Sequence, residues 1–136
     1  MKNERPVLSE KNPCYIPRER YYELKHFCRQ YRDWKKALAR IDGWNAIPES
    51  AGAIVDATPA DPTGQMALLR VFYADRIGIV ERCARECDPI LAPYILKGVT
   101  EGLSYEALRI KGCPCCKDIY YMNYRRFFWL LSKERG

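Results

Sequence analysis

Apolar side chains spaced three and four residues apart recur along this chain, and that period commits it to helices. Leu24, Phe27, Tyr31, Trp34, Leu38 and Ile41 form one run. Met66, Leu69, Tyr73, Ile77, Val80, Ala84 and Cys87 form a second, and Tyr120, Tyr124, Phe127, Phe128 and Leu131 a third. At roughly 100° per residue, each set falls on one stripe of a helix. The expectation is an all-α fold, a helical bundle. At 136 residues the chain has the usual size of one domain and can bury a core without metals or disulfides.

Caps and breakers divide the chain. Pro6, Pro13 and Pro17 make residues 1–17 read as an extended N-terminal arm. A helix begins at Arg18, with Gly43 as its stop, and the Ala-, Pro-, Gly- and Ser-rich stretch after it is a linker, so that 18–60 reads as N-terminal helix and linker. At Asp61-Pro62 an acid can cap free amides and proline suits the first helical position, which predicts a long helix to about Cys87. Leu68, Val71, Phe72, Ile79 and Cys83 widen its apolar stripe. A helix this apolar needs cover on more than one side, from the N-terminal helix or from a second copy in a homodimer, a monomeric core being the plainer reading. Asp88-Pro89 repeats the cap signal and predicts a helix over 90–101, ended by Gly102. Ser104 with Glu106 predicts a short helix over 105–111, and Gly112-Cys113-Pro114 a turn into a longer helix over 115–133.

A short helix, a tight glycine turn and a longer basic helix match the plan of a helix-turn-helix, although other helical hairpins share much of it. The region 61–136 therefore reads as a long helix plus a DNA-binding helix-turn-helix. On the last helix, the face opposite the apolar stripe holds Asp118, Met122, Arg125, Arg126, Trp129 and Lys133. A recognition helix enters the major groove by its N-terminal half, which would bring Lys117, Asp118, Tyr121 and Met122 near bases. Arg125 and Arg126 suit phosphates or guanine, and Lys133 completes the candidate DNA-binding set. Ordinary solvated charge is the alternative for the arginines, and core packing the alternative for Tyr121.

Charge distribution agrees with contact to a polyanion. Residues 1–42 carry eleven Lys and Arg against six Asp and Glu, a balance of +5. Residues 43–104 carry five against eight, or −3, and residues 105–136 seven against three, or +4. A solvated basic surface is the plain alternative. No apolar run reaches the roughly 18 residues of a membrane span, so no membrane partner is expected. The polar N-terminal residues precede no apolar stretch, which argues against an export signal and for a cytoplasmic protein.

Seven cysteines, an odd number, then read as free thiols in a reducing compartment. Cys113, Cys115 and Cys116 with Cys83 and Cys87 invite a zinc site. Their spacing is poor for one, because adjacent cysteines in a turn should point apart and Cys83 and Cys87 lie in apolar stripes. No metal or other cofactor is expected. His26 is the single histidine, on a helix surface among basic neighbours. Asp56, Asp61 and Asp75 make no metal-carboxylate motif, and glycine-rich phosphate loops are absent, so the reading is not an enzyme.

Several stretches carry a family resemblance. These are Asp61-Pro62-Thr63-Gly64, Tyr94-Ile95-Leu96-Lys97, Val99-Thr100-Glu101-Gly102 with Leu103-Ser104-Tyr105, Asp118-Ile119-Tyr120-Tyr121, and Tyr124-Arg125-Arg126-Phe127-Phe128. In this order and spacing they resemble small proteins of Gram-positive phages and prophages, similar to late-transcription activators of the RinA and ArpU type. The C-terminal part of those proteins resembles the DNA-binding region four of sigma factors. The resemblance spans residues 61–134, strongest from 94 onward, and the Cys113-Pro114-Cys115-Cys116 turn departs from the usual polar turn. It implies a regulator without enzymatic chemistry that binds double-stranded promoter DNA in the bacterial host cytoplasm and assists RNA polymerase. Two other readings stand beside it. One is an interaction or inhibitor protein that grips host machinery, such as RNA polymerase or a nucleic-acid-guided nuclease. The other is a packaging subunit that recognises phage DNA.

Overall fold

The computed structural model describes residues 12–45 and 62–136. Residues 1–11 of the expected arm, 46–60 of the linker and the expected cap Asp61 lie outside the described residues. Six α-helices and no strand occur among the described residues: α1 (Arg18–Arg29), α2 (Tyr31–Asn45), α3 (Pro62–Cys87), α4 (Ala92–Glu101), α5 (Tyr105–Ile110) and α6 (Lys117–Arg135). The fold is all-α, as the three-and-four spacing predicts. None of the described helices is long and apolar enough to cross a membrane.

The single helix expected from Arg18 is two helices. At Gln30 the amide turns back to Phe27 O, 3.2 Å away, in place of a regular helical bond, and Trp34 N then bonds to Gln30 O at 3.0 Å to start the next helix. The break separates two packing duties. α1 lies against α4 and α6, whereas α2 runs along α3. Phe27 and Trp34 bridge the joint with ring centroids 4.8 Å apart. The expected stop at Gly43 is also corrected: α2 continues to Asn45, and Gly43 is not among the glycines of positive φ.

α2 and α3 run antiparallel, as their polar ties show. Tyr31 Oη donates to Glu81 Oε2 at 2.5 Å near one end of the pair, and Arg70 meets Asp42 at 2.8 Å near the other. Burial beside the Glu81 carboxylate raises the Tyr31 phenol above its ordinary range, burial being the larger cause. Along α3, the expected stripe is buried only in its C-terminal half, at Ile77, Val80, Ala84 and Cys87. In the N-terminal half α2 covers one side, and Leu68, Leu69, Val71 and Phe72 face outward.

After α3, Asp88 accepts from the amides of Ile90 and Leu91 at 2.8 and 3.1 Å. That capped turn delays α4 to Ala92, two residues later than expected, and places Pro93 in its first turn. Gly102, with φ of 76°, ends α4 in the left-handed conformation that glycine adopts without cost.

The core gathers on α6, which packs against α1, α3 and α4. Tyr120, Phe127, Phe128 and Leu131 of α6 are fully buried, with Leu24 and Cys28 of α1, Val80 of α3, Ile95 of α4 and Leu108 of α5. Rings meet edge to face: Tyr21–Phe128 at 5.1 Å and 81°, Phe127–Phe128 at 5.1 Å and 90°. Such pairs add about 0.5–1.5 kcal/mol each beyond the area they bury.

Candidate functional site

The site begins with the ends of α5. Ser104 Oγ accepts from the Ala107 amide at 3.2 Å, which caps the short helix as its sequence predicts. At the other end Gly112, with φ of 107°, donates to Arg109 O at 2.9 Å, and Cys113 N donates to Leu108 O at 3.0 Å. These two bonds are the paired closure of a glycine-terminated helix. The chain then crosses to α6 with Cys116 in an extended conformation (φ −80°, ψ 170°), so α6 starts at Lys117 and not at the expected residue 115, and Cys116 makes no side-chain cap bond.

Tyr105 ties α5 both to the turn and to α6. Its hydroxyl donates to Cys115 O at 2.7 Å, and its amide donates to Tyr121 Oη at 3.3 Å. Across the same junction Lys117 Nζ pairs with Glu106 Oε2 at 3.3 Å. Glu106 is held below its ordinary pKa, first by a bond from its own amide and next by Lys117.

α6 has two faces. Tyr120, Tyr121, Asn123, Tyr124, Phe127, Phe128 and Leu131 are buried, whereas Asp118, Ile119, Met122, Arg126 and Lys133 are exposed. Arg125, at the margin, and Trp129, between Asp118 and Met122 in helical phase, are half-buried, and the Lys133 ammonium lies over the Trp129 ring, 4.2 Å from its centroid. Of the seven candidate DNA-binding residues, the structure brings Asp118, Met122, Arg126 and Lys133 onto one open strip, with Arg125 at its edge. Lys117 lies off that strip, on the side of α6 turned towards α5, where it is engaged with Glu106.

Tyr121 is the exception. Only 6% exposed, it packs on Tyr120 and Tyr124 and accepts from the Tyr105 amide, so it belongs to the core. The physical reason is its packing against the start of α5 at Tyr105 and against the rings of Tyr120 and Tyr124, beside a small cavity lined from α1 by Lys25 and Arg29 and from α4 by Gly98. Ile119 is absent from the expected set, although it is exposed and its helical phase places it next to Arg126. Arg126 also lies near the end of α3, where its charge opposes the burial that pushes the Cys87 thiol up to about 12.

The turn holds a second departure from expectation. Cys113 and Cys115, expected to point apart, have their Sγ atoms 3.8 Å from one another. Cys83 and Cys87 are buried within the apolar core, as their stripe predicts. Among the described residues, no group of three or more His, Cys, Asp or Glu side chains is disposed to hold a metal ion. Compared with family models, curated proteins and solved structures, the chain matches none.

Proposed function

We propose that this chain is a DNA-binding regulator in which α5 and α6 act as a helix-turn-helix, with the exposed strip of α6 docking on a duplex. The observation that supports it is the two-faced character of α6. Seven buried side chains fix the helix to the core while Asp118, Met122, Arg126 and Lys133 remain open, with Arg125 at the margin. From Asp118 to Lys133 the strip is about 22 Å long, a length that fits along a major groove. Its N-terminal part is suited to base edges, with Asp118 as an acceptor for a cytosine amine and Met122 as an apolar contact. Arg125, Arg126 and Lys133 supply cations for phosphates. The ion pair of Lys117 with Glu106 is largely solvent-exposed and thus weak, so Lys117 is able to exchange Glu106 for a phosphate. The narrower reading, a phage late-transcription activator, rests on the sequence resemblance.

A duplex selected from a random pool provides the probe. Replacing both Arg125 and Arg126 by alanine should lower affinity on the order of tenfold or more at moderate salt and reduce the salt slope by about 2. The melting temperature should stay unchanged, because neither guanidinium is in the core. Equal affinity of variant and parent would overturn the proposal.

One observation favours a second reading, a protein that grips a host protein or another copy of itself. Leu68 is 73% exposed and Phe72 42%, on the outward side of α3. Partners retained from host lysate after nuclease treatment, and lost on Leu68→Asp, would support that reading over DNA binding.

A further inference from the structure

We propose that Cys113 and Cys115 form a reversible dithiol–disulfide site in the turn between α5 and α6, with a hydroperoxide as its oxidant. The inference stands on the geometry of the turn and is independent of the nucleic-acid reading. The two Sγ atoms face each other at 3.8 Å, near contact distance for unbonded sulfurs. A disulfide bond is about 2.05 Å long, so side-chain rotation must bring them less than 2 Å closer. The backbone on both sides is clamped: Cys113 N is bonded to Leu108 O, and Cys115 O accepts from Tyr105 Oη. Pro114 between them has a fixed φ, which removes one of the two backbone rotations that could separate the pair.

Access is graded in the order the chemistry requires. Cys113 and Cys115 both line an open cleft with Glu106, Arg109 and Lys117, but Cys113 is only 7% exposed whereas Cys115 is half-buried. Of the two facing thiols, Cys115 is therefore the one the oxidant reaches first, while the more exposed Cys116 has no facing sulfur among the described residues. Its thiolate attacks one peroxide oxygen, the O–O bond breaks, and the leaving hydroxide takes a proton to become water. The resulting sulfenic acid is then attacked by the Cys113 sulfur, the S–O bond breaks, and the departing hydroxyl leaves as a second water with the Cys113 proton. Two thiols and one hydrogen peroxide give one disulfide and two waters; the sulfurs lose two electrons in total and the peroxide gains them. A disulfide closed over a single intervening residue is strained, which makes it readily reduced and suits it to a reversible role.

The site carries a signature in pH. Burial, and next the hydrogen bond with Cys113, hold the Cys115 thiol up at about 11. Thiolate is thus scarce at neutral pH, and oxidation should quicken roughly tenfold per pH unit from 7 to 9.

The test uses the full, reduced chain treated with hydrogen peroxide, alkylated and mapped by mass spectrometry. The intact mass should fall by two hydrogens and the free thiols by two from seven. The peptide that holds Cys113, Cys115 and Cys116 should carry an internal bridge between Cys113 and Cys115, with the alkyl group on Cys116 alone, and dithiothreitol should remove the bridge. Cys116→Ser, at an exposed position, should leave the linkage intact, whereas Cys113→Ser should stop at oxygen addition to Cys115. Oxygen addition alone in the parent protein, or a linkage joining other cysteines, would overturn the proposal.

Discussion

Gly98 is where the absence of a side chain matters most. A Cβ placed there would stand 2.0 Å from Tyr120 Oη, and Tyr120 is fully buried. Gly98→Ala should therefore destabilise the protein by about 1–3 kcal/mol, the usual cost of overpacking, as measured by denaturant unfolding. In a Tyr120→Phe background the same alanine meets the ring no closer than 3.3 Å, so its added cost should shrink; an equal cost in both backgrounds would place the strain elsewhere. Single residues also show how far the candidate site could be read from sequence. Met122, Arg126 and Lys133 lie near the centre of the polar face, and helical phase alone assigns them. Tyr121 lies at the border, where exposure depends on what packs alongside. Its neighbour there is Tyr105 at the start of α5, and no pattern within α6 announces that neighbour.

Among elements, local chemistry explains most boundaries. The Ser104 hydroxyl satisfies an amide that α5 leaves open, so Ser104→Ala should cost about 1 kcal/mol of unfolding free energy. Gly112 has φ of 107°, where side-chain-bearing residues are strained, and a Cβ there would approach Tyr94 Oη to 3.3 Å. Gly112→Ala should cost roughly 1–3 kcal/mol and loosen the closure of α5, seen as faster amide exchange at Gly112 and at Cys113. These signals are legible because each acts within a few residues. The joint at Gln30 is not, since it contains neither proline nor glycine and the apolar spacing from Leu24 to Ile41 runs through it unbroken. Gly43 misleads for the complementary reason: glycine permits a helix end but does not compel one.

For the whole molecule, the decisive contacts join parts distant in sequence. Tyr21 and Tyr124 hydroxyls meet at 3.0 Å, Arg20 reaches Ser132 by two hydrogen bonds, and the Arg135 guanidinium covers the Phe27 ring at 3.8 Å. Phe128→Ala would remove the ring that Tyr21 of α1 meets edge to face, with an expected loss of about 3–5 kcal/mol and a single cooperative transition retained. Early melting of α1 alone would show that it is not integral to the core. Which helices become neighbours was the least legible property, because a stripe shows that a helix is covered and not by what. The same long closure sets a schedule for biosynthesis. About a hundred residues separate Tyr21 from its partner Tyr124. At ribosomal speeds α1 emerges roughly 5 to 20 s ahead of the helix it must seal against. Through that interval the nascent chain carries bare aromatic side chains, and a ribosome that stalls before α6 would present quality-control chaperones with an unclosed polypeptide.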